Sequence, residues 1–156
     1  MKPCDVTPWK HLLQHGTSLR DGEQGSNRSA SFKPGKGERA WLFNSDSEDF
    51  RKHFRNRKSC DGIFLIETPT ERRLVFIELK GRNLEDAAEQ LREALQAVLK
   101  QLPPDCRKST RPEVVVVRGR APPTQVVSKV LKEFQRKTGF ILQCRSIPPG
   151  KNWELR

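Results

Sequence analysis

The chain reads as an α/β protein, and three features predict it. Two apolar runs between residues 61 and 80 fold back as an antiparallel hairpin. A long amphipathic helix follows at once. A β-branched run, Glu113-Val-Val-Val-Val-Arg118, then precedes a second helix and a last strand. A hairpin followed by helix, strand, helix and strand makes a mixed sheet with helices packed on it. At 156 residues, with no internal repeat, the chain suits one modest core.

The elements follow in order. Pro8 to Gln14 reads as a short helix ending near Gly16. Gly16 to Gly37 is rich in Gly, Ser, Lys and Arg with almost no apolar residues, which predicts a poorly ordered stretch. Residues 1–37 therefore form an N-terminal segment and 38–156 the α/β domain. Arg39-Ala-Trp-Leu-Phe43 is the expected first strand. Ser45-x-x-Glu48 has the form of a capping box, yet Phe50 to Arg57 lacks a helical stripe, so this segment stays open between helix and loop.

Asp61-Gly-Ile-Phe-Leu-Ile66 and Arg73-Leu-Val-Phe-Ile-Glu-Leu-Lys80 are the hairpin strands. Pro69 and the polar residues of Glu67 to Arg72 make the turn. Leu84, Ala87, Ala88, Leu91, Leu95, Val98, Leu99 and Leu102 recur at helical spacing until Pro103-Pro104 stops the helix. The Val114–Val117 run suits a buried parallel strand. A helix from about Thr124 to Lys137 ends at Gly139, and Phe140 to Cys144 is the final strand.

The chemistry concentrates at one end of the hairpin. Antiparallel pairing brings Asp61 opposite, or nearly opposite, Glu78. Alternation along a strand then puts Asp61, Glu78 and Lys80 on one face. Like charges across a ladder destabilise it, and a bound divalent cation would relieve the repulsion. Mg2+ takes hard oxygen ligands and keeps several waters, so Asp61, Glu78 and the carbonyl of Leu79 suffice as a partial shell. Lys80 would orient the attacking water or stabilise developing charge. The plainer reading makes Glu78 and Lys80 a solvated strand end and Asp61 a turn residue. That reading accounts for each residue singly, but less well for three sharing one face.

This Asp…Glu-x-Lys pattern on adjoining strands, followed by an amphipathic helix, resembles the PD-(D/E)xK nuclease superfamily, which includes restriction endonucleases and Holliday junction resolvases. The resemblance covers roughly residues 38 to 118. It implies a restriction endonuclease-like core and Mg2+- or Mn2+-dependent hydrolysis of phosphodiester bonds in DNA, with RNA as the alternative substrate. It also implies that Asp61 and Glu78 are metal ligands, that Lys80 assists the water, and that the protein works as a homodimer. Cys60 stands where the motif often has proline. Some relatives place a glutamine on the following helix. Gln90 fits that role as an auxiliary residue, or is an ordinary surface glutamine. An upstream acidic ligand would come from Glu38, Glu48 or Asp49.

Charge agrees with a polyanionic partner. Lys and Arg total 30 against 19 acidic residues, a net +11. Arg51, Lys52, Arg55, Arg57 and Lys58 precede Asp61, and Arg82 follows Lys80; these are the expected nucleic-acid contacts. Further basic residues fall at Arg72 and Arg73 in the turn, at Arg107, Lys108 and Arg111, and at Arg118 and Arg120. Those of the late helix, Lys129, Lys132, Arg136 and Lys137, read as a solvated face.

The dispersed charge lacks a lipid-facing stripe, no apolar stretch has membrane-spanning length, and no signal peptide is evident. An intracellular, cytoplasmic protein with no membrane partner is therefore expected. Cys4, Cys60, Cys106 and Cys144 show no zinc spacing and read as free thiols, with Cys60 a small buried residue. His11, His15 and His53 read as surface residues. With no recognition domain apparent, specificity would come from substrate structure or a partner protein. Two other classes remain: the same fold kept as a non-catalytic nucleic-acid- or protein-binding module, and a basic protein that binds an acidic partner.

Overall fold

The computed structural model describes residues 5–20, 28–56, 58–79, 83–118 and 124–156. A 3-10 helix, Thr7–Leu12, with Pro8 in its first turn, runs into strand β1 (Leu13–Gln14). Then come β2 (Ser18–Arg20), β3 (Ser29–Ser31), β4 (Arg39–Phe43), α1 (Glu48–Phe54), β5 (Gly62–Glu67) and β6 (Arg72–Glu78). The second half holds α2 (Leu84–Gln101), α3 (Pro104–Lys108), β7 (Thr110–Arg118), α4 (Thr124–Thr138), β8 (Leu142–Ser146) and β9 (Asn152–Glu154).

The protein is mixed α/β. Its main sheet has six strands in the order β1-β4-β5-β6-β7-β8, antiparallel as far as β6 and parallel across β6, β7 and β8. Parallel neighbours need a crossover, and α2 and α4 provide the two. Every residue of β5 and β6 is buried, because both faces of the sheet are covered. That is why these strands read as unbroken apolar runs rather than as an alternation.

On one face Ile63, Leu65, Leu74, Phe76, Val114 and Val116 meet the apolar stripe of α2, Phe50 and Phe54 of α1, and Val130 and Phe134 of α4. On the other, Leu42, Phe64, Ile66, Val75, Ile77, Val115 and Val117 lie under Leu19, Ala30, Phe32 and Leu155. These last four belong to or adjoin a second sheet of three strands, ordered β2-β3-β9. The layering is thus helices, large sheet, small sheet. Full burial of a leucine side chain is worth about 1.5–3 kcal/mol, so Leu91 and Leu95, at 0% and 1% exposure, anchor α2.

Local chemistry sets the helix boundaries. The Asn83 side chain caps α2 by accepting from the amides of Glu85 and Asp86, two acidic residues suited to a helix start. The helix stops at Leu102, before Pro103. Gly139, at φ 80°, turns the chain out of α4. Among the described residues no helix is long and apolar enough to cross a membrane.

Several expectations change. The Gly16–Gly37 stretch carries β2 and β3, and buries Leu19, Ala30 and Phe32; residues 21–27 lie outside the described set. Arg39–Phe43 is the fourth strand, not the first. The helix at 48–54 is real, and its cap is Ser47, whose oxygen accepts from the Phe50 amide. Ser45 instead donates to the Cys60 carbonyl. The helical stripe was faint because only Phe50 and Phe54 carry it. Arg72 and Arg73 are not turn residues offered to a ligand. They enter β6 and are buried, Arg72 against Glu67 at 2.9 Å and Arg73 against Glu113 at 2.6 Å. Cys60 and Cys144 are free, but Cys106 is disulfide-bonded, against the expectation of free thiols. Pairing is decided by the fold, so sequence spacing carried no sign of it. Cys4 lies outside the described residues.

Candidate active site

The turn of the hairpin fixes what happens at its far end. Thr68 donates its amide to Glu71 O at 2.9 Å, while its hydroxyl accepts from the amides of Thr70 and Glu71. This turn locks the register from Glu67↔Arg72 through to Gly62↔Ile77. One step further sets Asp61 level with Glu78. Asp61 leaves the ladder as a bend, and its Oδ2 accepts the Leu79 amide at 2.8 Å. A side-chain carboxylate thus takes over a main-chain bond at the end of β6.

Odd residues of β5 and even residues of β6 face the helices. Glu78 falls on this side by alternation; Asp61, beyond the last ladder pair, instead lines a groove with Ser18, Leu19 and Arg20 of β2. Glu78 is 2% exposed and pairs in the parallel ladder with Val116. Cys60, wholly buried, senses both carboxylates. Burial pushes its thiol pKa well up, the charge of Glu78 adds to this, and Asp61 contributes less. Ser45, also fully buried, holds the Cys60 carbonyl at 2.8 Å and so anchors the segment that delivers Asp61.

Register sets Asp61 level with Glu78 at one end of the hairpin, and Leu79 follows Glu78 there. This set fits Mg2+ or Mn2+, which accepts one or two carboxylates and completes its shell with water and phosphate. Among the described residues no group of three or more His, Cys, Asp or Glu gathers as metal ligands. Lys80, Arg57 and Arg82 lie outside the described residues.

No family model, curated protein or solved structure matches the chain.

Gln90 is half-buried on α2. Glu93, one turn on along the same flank, accepts the Lys58 amide at 2.7 Å, so this flank of α2 faces the segment that leads into Asp61. Of the upstream acidic candidates, Glu38 accepts from the Gly35 amide beside the hairpin turn, at the opposite end of β5 from Asp61. Glu48 pairs with Lys52 at 3.1 Å on the exposed side of α1, and Asp49 is exposed in the same first turn. The acidic residue that does approach is Asp46. It lines an open groove of about 530 Å³ together with Asp61, Asn44, Gln14, Ser18, Leu19 and Arg20. Antiparallel pairing of β4 with β5 explains it: residues just after Phe43 must meet those just before Ile63. That pairing was the signal available in the sequence.

The basic run before Asp61 divides. Arg51 pairs with Asp46 at 3.3 Å and Lys52 with Glu48. Arg55, in the left-handed conformation at φ 55° that ends α1, and Lys58 are exposed. On α4, Arg136 and Lys137 both pair with Glu133 at the surface. The histidines do form a pair, but an unforeseen one. The His11 and His53 rings meet edge to face at 5.6 Å, and burial, helped by His11, holds the His53 pKa below its ordinary value.

Proposed function

We propose that this chain is a metal-dependent nuclease of the PD-(D/E)xK type that hydrolyses phosphodiester bonds in DNA, with RNA as the alternative substrate. The observation that carries the reading is the clip between Asp61 Oδ2 and the Leu79 amide, beside the buried Glu78. The hairpin β5–β6, the crossover α2 and the parallel strand β7 agree with the element order that a restriction endonuclease-like core requires. The net charge of +11 suits a polyanionic substrate.

Each residue then has a task. The Leu79 amide fixes the Asp61 carboxylate through Oδ2, leaving Oδ1 for a cation. Glu78 supplies the second carboxylate and Leu79 a carbonyl. A divalent ion held there supplies an acidified water and a counter-charge for the phosphate. Lys80 assists the attacking water, Gln90 supports the site from α2, and Arg55 and Lys58 contact flanking phosphates. In a homodimer each subunit would cut one strand, and a partner protein would add specificity.

The test is incubation of purified protein with plasmid, linear, branched and single-stranded DNA and with RNA, in Mg2+, Mn2+ or EDTA. Cleavage is expected with metal, none in EDTA, and none from Asp61→Ala or Lys80→Ala. Metal-dependent cleavage that survives both substitutions would overturn the residue assignment. Binding without cleavage in any metal would favour the non-catalytic module.

A further inference from the structure

Arg118 ends β7 directly after the buried run Val114–Val117. Its Nε and Nη1 are shut off from solvent and have no hydrogen-bond partner among the described residues. The other arginines that enter this part of the sheet are treated differently: Arg72 meets Glu67 and Arg73 meets Glu113. Charged donors left dry and unmet are costly, so buried guanidinium groups are nearly always satisfied by an anion or a carbonyl. Across β8 the nearby group is Cys144, a thiol whose pKa is raised by desolvation although Arg118 pulls the other way, and not a carboxylate.

Position suggests what the missing anion is. In the parallel ladder Glu78 is level with Val116, and Arg118 follows two residues on. Alternation puts Arg118 on the face that carries Val116 and Glu78. Strand spacings set the two backbones roughly 8 Å apart, within reach of an arginine side chain. Arg118 also stands at the carboxyl ends of β6, β7 and β8, the edge where open α/β sheets hold their ligands. Asp61 and Glu78 by themselves repel a phosphate. A fixed cation beside them offsets that repulsion, and a guanidinium fork matches phosphate oxygens with two parallel N–H bonds.

We propose that Arg118 is an anion clamp that seats a substrate phosphate next to the Asp61–Glu78 carboxylates. The identity of that phosphate as part of a nucleic acid rests on the nuclease reading. The existence of the anion site does not.

The experiment compares the full chain with Arg118→Met and Arg118→Lys. Thermal melting is followed in EDTA with inorganic phosphate or with sodium chloride at equal ionic strength. Without phosphate, Arg118→Met should melt no lower than the wild type, since it removes two buried donors that have no partner among the described residues. Phosphate should raise the wild-type melting temperature above the chloride control, leave Arg118→Met unmoved, and raise Arg118→Lys by only part of the wild-type shift. Equal shifts in all three proteins, or none in the wild type, would overturn the clamp. If Arg118→Met does not fold, Arg118→Lys decides, because it keeps the charge and loses the fork. With metal and a cleavable substrate, Arg118→Met should lower kcat/KM about a hundredfold or more. If the wild type cleaves nothing, the nuclease reading fails while the EDTA arm still judges Arg118.

Discussion

Asp61 and Leu79 are joined across the end of the hairpin, carboxylate to amide, at 2.8 Å. The same carboxylate is asked to hold the strand end and to ligate a cation, and two substitutions separate these roles. Asp61→Asn keeps an acceptor for the Leu79 amide but loses the charge. It should fold with little loss of stability and show no metal-dependent cleavage. Asp61→Ala loses both, and should also lower unfolding free energy by about 1.5–3 kcal/mol, the usual worth of a hydrogen bond to a charged group. Urea unfolding beside the cleavage assay checks this. Equal stability of the two variants would show that the clip carries no weight.

The Arg72–Glu67 pair is a structural element and not part of the site. Its side chains are 1% and 6% exposed, and both Nε and Nη2 of Arg72 donate to Glu67 Oε2. Glu67→Ala strands a buried guanidinium and should destabilise by about 3–5 kcal/mol. The apolar double variant Glu67→Leu/Arg72→Met should recover most of that loss in urea. A double variant as unstable as the single would mean the pair itself is net stabilising.

Cys60 gives the protein an alkaline limb. Burial first, then the charge of Glu78, raises its pKa above the ordinary thiol value of 9.0. The folded chain therefore keeps a proton that the unfolded chain releases. Stability from this group is complete below pH 9 and declines as pH rises beyond it, by at most about 1.4 kcal/mol per pH unit. Cys60→Ala should flatten that decline relative to wild type between pH 8 and 10. Parallel curves would show that the thiol ionises alike in both states.

Gly62 is required by its neighbour across the layers. A Cβ at 62 would stand 2.6 Å from Cδ2 and 2.9 Å from Cδ1 of Leu19, which is itself buried. Gly62→Ala should cost about 1–3 kcal/mol through overpacking. Adding Leu19→Ala should return part of it, so that the two changes are measurably non-additive in thermal melts. Simple addition of the two losses would place the strain elsewhere.

Much of this arrangement could be read in the sequence, for identifiable reasons. The helix from 84 declared itself through a period of 3.6, and the hairpin from 61 to 80 through two apolar runs split by a polar, proline-containing turn. The level placement of Asp61 with Glu78 followed from the hairpin register; the face taken by the Asp61 carboxylate did not, because Asp61 leaves the ladder as a bend. The small sheet could not be read, because Ser18–Arg20, Ser29–Ser31 and Asn152–Glu154 are three-residue strands of mostly polar residues, paired with distant partners. Arg72, Arg73 and Arg118 looked alike as basic punctuation. Only the fold distinguishes the two that meet carboxylates from the one whose Nε and Nη1 meet no partner among the described residues. Asp46 went unnoticed because its approach to Asp61 depends on β4 pairing with β5.

Ser29 and Asn152 hydrogen-bond across 123 positions of chain, where β3 and β9 run side by side. A nascent polypeptide cannot make this contact until residue 152 has been synthesised. Until then Phe64, Ile66 and Val75 have nothing from Leu155 to shelter them. Such long-range closure slows folding and lengthens the interval in which sticky surface faces water. Premature termination before residue 152 would leave that surface bare for good, a ready substrate for chaperones and proteases.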